Sequence, residues 1–291
     1  MTVEHPQIHW FADPAVLAPI ALGVGIYVWR FREVRRDARE RGQPPRGATW
    51  LHGLAFAGSV LALLGALVTP VDGLGEQYLF SAHMLQHVLL GDIAPLLLLL
   101  SLSRVILRPV TRRLMRLERA LGPLASPPVA ILIWLGTMYL WHIPALYDAA
   151  IEHPLVHALE HASFFGAGIA LWWPLVQPIP MRHALKGLQP LAYIAAAKGG
   201  LAALGLFLAW SSTAHYPFYE DAPRIWGLSA VEDQNIAGVI MMVEQSLTLV
   251  LVMVWLFVRM LTRSEEEERR RERLDDAQVP ASGVDVVGTG S

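Results

Sequence analysis

Cysteine is absent from this 291-residue chain. Its absence excludes disulfides, thiolate sites for copper or zinc, and thiol redox chemistry. A metal, if one binds, must be held by nitrogen, thioether or oxygen. Charge is also scarce, at 16% of residues against roughly 25% in an ordinary soluble domain. The amino-terminal stretch MTVEHPQIHWFADP has no basic n-region, so no cleavable signal peptide is expected there. No internal repeat stands out.

What the chain has instead is apolar length. Hydrophobic residues make up 54% of it and come in long blocks. Crossing a hydrocarbon core takes about 20 such residues. Seven blocks qualify, near Pro14–Phe31, Trp50–Pro70, Tyr78–Ser101, Pro128–Tyr147, Leu155–Val176, Pro190–Ser211 and Ile236–Val258. Basic residues alternate between the loops. Arg30 to Arg46, Arg104 to Arg119, the Arg182 and Lys186 loop, and Arg259 with Arg263 are rich in positive charge. The stretches Val71–Gln77, Asp148–His153 and Ser212–Asn235 hold a single arginine, Arg224. Positive loops stay in the cytoplasm, so the amino terminus is expected outside and the carboxyl terminus inside. This charge asymmetry reports topology and gives no sign of nucleic-acid binding.

The fold expected is therefore all-α and polytopic, with seven transmembrane helices. Residues 1–13 form an outer amino-terminal segment, 14–260 the membrane domain, and 261–291 a charged cytoplasmic tail, largely disordered. Within the tail, Glu265/Arg269, Glu266/Arg270 and Glu267/Arg271 are i,i+4 pairs that support a short helix. Val105–Leu121 reads as a basic amphipathic helix in the cytoplasmic headgroup layer. The outer loop Ser212–Asn235, with His215, Tyr216, Phe218, Tyr219 and Trp226, reads as an interfacial aromatic belt or as a lid.

Histidine is concentrated on one side. Nine of the eleven, all but His52 and His183, fall in or beside outer segments. Histidine near neutral pH carries protons or binds metal, and a polar side chain within a bilayer marks function by default. His83 and His87 share a helix face at i,i+4, with Met84 close to it. His153, His157 and His161 recur every four residues, and Glu160 stands beside the last. His153 precedes Pro154 and is expected near the helix cap. His142 ends the fourth block, between Trp141 and Tyr147. His5, His9 and His215 are less constrained.

Imidazole suits copper, zinc or iron, and thioether favours Cu(I). Met84, Met138, Met241 and Met242 supply thioethers in or near the spans, although methionine is also ordinary packing. Asp92, Lys198, Glu244 and Gln245 are further polar residues inside spans. Asp92 and Glu244 suit a relay, or a buried ion pair with Lys198. Asp233, Gln234 and Asn235 open the last span and are placed to cap it.

The strings HMLQHVLLGDIAPLLLLLS, WHIPALYDAAIEHPLVHALEHASFF and EDQNIAGVIMMVEQSL resemble the CtaG-type assembly factors of caa-type cytochrome c oxidase, over roughly Trp50 to Val258. The resemblance implies a seven-span protein of the bacterial cytoplasmic membrane. It would help to make active terminal oxidase, with copper delivery or insertion as the usual proposal and oxidase subunits and membrane lipid as partners. It implies that His83, His87, His142, His157 and His161 matter, without assigning them catalytic roles. Met84, His153, Asp92, Glu160, Met241, Met242 and Glu244 are further candidates, from the residues themselves, for metal or relay work. On this reading the protein is not an enzyme. Zinc or haem in place of copper, an intramembrane zinc-dependent hydrolase, and a copper transporter are the readings left open.

Overall fold

The computed structural model describes residues 10–278. His5, His9 and the end of the tail, residues 279–291, lie outside the described residues. Those described form twelve α-helices, one π-helical turn and one 3-10 turn, and no strand. The helices are α1 (Pro14–Glu40), α2 (Trp50–Leu67), α3 (Pro70–Gln77), α4 (Phe80–Val88), α5 (Ala94–Ser101), α6 (Arg108–Leu121), α7 (Pro127–Trp141), α8 (Pro144–Glu152), α9 (Pro154–Val176), α10 (Gln189–Trp210), α11 (Pro217–Asp221) and α12 (Ala230–Gln278). Proline at the first or second position opens many of them, where its missing N–H costs nothing.

Each of the seven apolar blocks is helical, yet fewer helices meet the length and polarity that crossing requires. Among the described residues five do: Pro14–Glu40, Trp50–Gln77, Phe80–Ser101, Gln189–Trp210 and Ala230–Leu274. A sixth arises if Arg108–Ala125 and Pro127–Trp141, bent by 76°, count as one broken span. The two shortfalls have physical reasons. Helix α7 has only 15 residues, roughly 22 Å of rise. Helix α9 has 23 residues but gives up apolar character to His157, Glu160 and His161. Helix α6 buries no residue, in keeping with a surface helix.

The third block is not one regular helix. Leu89–Ile93 is a π-turn between α4 and α5. Pro95 has no N–H to give the Gly91 carbonyl, and the ladder shifts so that Ala94 N–H bonds the Leu89 carbonyl. The Gly91 carbonyl is then pressed against Gly168 of α9, where a Cβ would collide with it and with Pro95. Gly168 thus lets α9 approach the π-turn closely, while Gly91 leaves room for Met138 and Trp134 of α7.

The caps differ from the sequence reading. Helix α12 is opened by Ser229 and Glu232, whose side chains exchange hydrogen bonds with each other's backbone N–H at 3.2 and 2.8 Å. Asp233 turns away from its own helix. Its carboxylate accepts the N–H groups of Phe80 (2.6 Å) and Ser81 (3.1 Å) and caps α4. Asn235 donates to the carbonyls of Leu208 and Ser211 at the end of α10, and Gln234 accepts from His215 N–H. Helix α12 is thereby tied to both α4 and α10, its main packing partners. It continues through the acidic–basic stretch to Gln278, so the i,i+4 pairs of the tail fall on it.

Candidate metal centre

Side chains of helices α4 and α9 meet inside the bundle. The i,i+4 spacing sets His83 and His87 on one face of α4, and their Nε2 atoms stand 2.7 Å apart. From α9, Glu160 places its carboxylate oxygens 3.5 Å from His87 Nε2 and 3.7 Å from His83 Nε2. His161 adds a fourth donor, and one ligand atom from each of these four residues lies within 4.8 Å of the others. His83 and Glu160 are fully buried.

Hydrogen bonding leaves this group unfinished. Neither Glu160 oxygen, nor His161 Nε2, nor His87 Nδ1 has a hydrogen-bond partner among the described residues. A buried polar atom without a partner costs about 1–3 kcal/mol, and several at one point call for a ligand. Three imidazoles and one carboxylate are a donor set for copper or zinc. Bonds of about 2.0 Å would set neighbouring ligand atoms roughly 3.3 Å apart, near the separations found to Glu160. The residues present therefore fit a metal ion.

The surroundings orient these ligands. Tyr219 donates its O–H to the Gly75 carbonyl at 2.5 Å. Its oxygen stands 3.5 Å from His83 Nδ1, an acceptor for N–H at that nitrogen, which directs the His83 Nε2 lone pair into the cluster. Burial holds the Tyr219 phenol well above its ordinary range, so it stays a donor. Tyr216, also raised by burial, donates to the His142 carbonyl at 3.1 Å, and Tyr147 and Tyr219 join through their hydroxyls at 3.2 Å. The loop Ser212–Asn235 thus sets Tyr216 and Tyr219 beside the cluster, while Trp226 remains exposed.

The other candidates divide by place. His157 is adjacent, its ring centroid 4.0 Å from that of His161, but its Nδ1 pairs with Glu76 at 2.8 Å. His142 is buried one layer away; its Nδ1 donates to the Met138 carbonyl at 2.7 Å. His153 is the N-cap residue of α9 and makes no side-chain cap bond. His215 bonds Ser211 at 2.8 Å and stacks on Phe207. Met84 is buried beside the histidine pair, Met241 lines the inner cavity of His142, and Met242 packs against Gly205 of α10.

Asp92 and Glu244 both take Lys198. Its Nζ bonds Asp92 Oδ2 and, at 3.0 Å, Glu244 Oε1. Trp172 Nε1–H donates to the other Asp92 oxygen at 2.9 Å, and Thr248 donates to Glu244 at 2.7 Å. The ion-pair reading of these residues is the geometry found. Glu76 is a neighbour of the histidines that sequence reasoning does not name, and Tyr219 is named only as part of the outer loop. Each reaches them from a separate segment, with no spacing signal to mark it.

The model of the cytochrome c oxidase caa3 assembly factor family (Caa3_CtaG) matches residues 25–263. The chain belongs to that family. It is also similar to an uncharacterized protein of Mycobacterium leprae, 25% identical over 92% of this chain and 42% of the relative. Uncharacterized proteins of Mycobacterium bovis and Mycobacterium tuberculosis are each 24% identical, over 95% of this chain and 43% of theirs. The chain therefore spans less than half the length of these relatives. No solved structure matches it. The family indicates a cytochrome c oxidase assembly factor, and its apolar helices point to a membrane protein.

Proposed function

We propose that this protein assists oxidase assembly by holding copper as cargo at His83, His87, Glu160 and His161 and passing it toward an oxidase subunit. The observation that carries the reading is the convergence of these four ligands, with Glu160 and His161 left without hydrogen bonds. Family membership supplies the oxidase. Zinc would fit the same donors and is distinguished by metal content.

In this reading the chain crosses the bacterial cytoplasmic membrane seven times, with α7 and α9 completing the count inside the bundle. The amino terminus is outside, so the centre opens on the outer face. The protein acts as a helper and not as a catalyst. Each residue has a separate task. His83 and His87 present nitrogen lone pairs, Glu160 balances cationic charge, and the Tyr219 loop shields the centre from solvent. Loading is coupled to loss of whatever protons the ligands hold.

Two measurements test the proposal. Purified protein should retain copper, and the His83→Ala/His87→Ala variant should retain less of it; equal copper in both would sink the site. A strain lacking the gene should show reduced oxidase activity that added copper partly restores. Normal activity without the protein would end the assembly role.

A further inference from the structure

Beside the histidine–glutamate centre lies a small chamber of about 20 Å³. That is room for one water molecule or one ion. His87 stands in its wall and also in the first centre, so the two adjoin. Met84 of α4, Met138 of α7 and Met241 of α12 line it, together with His142. Methionines from three helices thus line one chamber, and all three side chains are buried.

His142 is presented as a ligand. Its Nδ1 gives its proton to the Met138 carbonyl at 2.7 Å, which leaves the lone pair on Nε2. That nitrogen is buried and has no partner among the described residues. Gln245, also in the wall, has neither side-chain atom satisfied. At the inner end are Asp92 and Glu244, which share the single ammonium of Lys198. Two carboxylates and one ammonium carry one excess negative charge, which a proton or a monovalent cation must offset. Thioether with imidazole selects a soft one.

We infer that this chamber is a binding site for a soft monovalent cation of the Cu(I) or Ag(I) type, ligated by His142 Nε2 and the thioethers of Met84, Met138 and Met241. It is separate from the centre on α4 and α9 and does not depend on that centre holding copper. His87 would make the two successive stations for one cargo, the outer one rich in nitrogen and oxygen and the inner one rich in sulfur. A trapped water, with a proton shared by Asp92 and Glu244, would satisfy His142, Gln245 and the charge as well, but it leaves the thioethers unused.

Ag(I), which does not change oxidation state, is the probe for the inner chamber, and Zn(II) for the outer centre. The full chain in detergent should bind Ag(I) with sulfur neighbours in its X-ray absorption spectrum. Met138→Leu/Met241→Leu should bind Ag(I) about ten-fold or more weakly, lose the sulfur signal, and keep its Zn(II) affinity. Met241→Leu alone serves should the double variant not fold. Met115→Leu, at an exposed position on α6, should leave both metals unchanged. Glu160→Gln should weaken Zn(II) and spare sulfur-bound Ag(I). Ag(I) seen with nitrogen and oxygen neighbours only, or undiminished in the Met241→Leu variant, would overturn the inference and leave the chamber to water. Failure of Zn(II) binding alone would instead count against the outer centre.

Discussion

At the scale of single residues, the energetic burden sits where charge is buried. Lys198 is fully enclosed and holds Asp92 and Glu244 at once. Removing one partner of a buried ion group leaves uncompensated charge, which costs about 3–5 kcal/mol. Lys198→Met should therefore lower unfolding stability by about that amount, measured by denaturant titration in micelles. A change below about 1 kcal/mol would mean that the carboxylates find other partners. Tyr219→Phe is a milder case. It removes the bond to the Gly75 carbonyl and the acceptor beside His83, and should cost about 1 kcal/mol. Because His83 then loses its orienting neighbour, Zn(II) affinity should fall about ten-fold, as titration calorimetry would show. The histidines were legible in the sequence because i,i+4 spacing sets side chains on one face. Glu160 was legible as the neighbour of His161. Glu76 was not, and Tyr219 was legible only as part of the outer loop, since both meet the histidines through tertiary folding alone.

At the scale of elements, the apolar blocks announced the helices but not their irregularities. The π-turn at Leu89–Ile93 follows from Pro95 together with close packing on α9, and only the proline is visible locally. Gly168 and Gly166 lie on the same helix and differ in what surrounds them. A Cβ at Gly168 would strike the Gly91 carbonyl and Pro95, whereas one at Gly166 would meet nothing within 4 Å. Gly168→Ala should destabilise by about 1–3 kcal/mol through overpacking, and Gly166→Ala should be neutral or better because alanine favours helix. Equal melting temperatures for the two variants would mean that the contact between α9 and the π-turn yields freely. The cap residues teach a related lesson. Asp233 has the composition of a local N-cap, yet its carboxylate serves α4 across the bundle. Ser229 and Glu232 take the local task. Asp233→Ala should cost about 1–2 kcal/mol and loosen α4, while Ser229→Ala should cost about 1 kcal/mol and leave metal affinity unchanged.

For the whole molecule, charge distribution and site position make one joint prediction. Arginine gathers in the loops at one end of the bundle, where Arg30 reaches the carbonyls of Val105 and Ile106. The histidine–glutamate centre lies toward the other end, beneath the loop that carries Tyr216 and Tyr219. In the proposed orientation, with basic loops in the cytoplasm, the centre would lie in the outer half, beneath those tyrosines. Inward, the route is closed by the enclosed Lys198 group. A membrane-impermeant chelator should consequently remove metal from the protein in right-side-out vesicles and not from inside-out ones. Tyr219→Phe should speed the removal, because it releases the loop from Gly75. Equal removal from both sides would indicate a continuous path across the membrane and would favour transport over assembly. Removal only in inside-out vesicles would reverse the orientation itself. The centre would then open on the cytoplasm, and the arginine face of α6 would lie on the opposite, outer side, away from the loading partner.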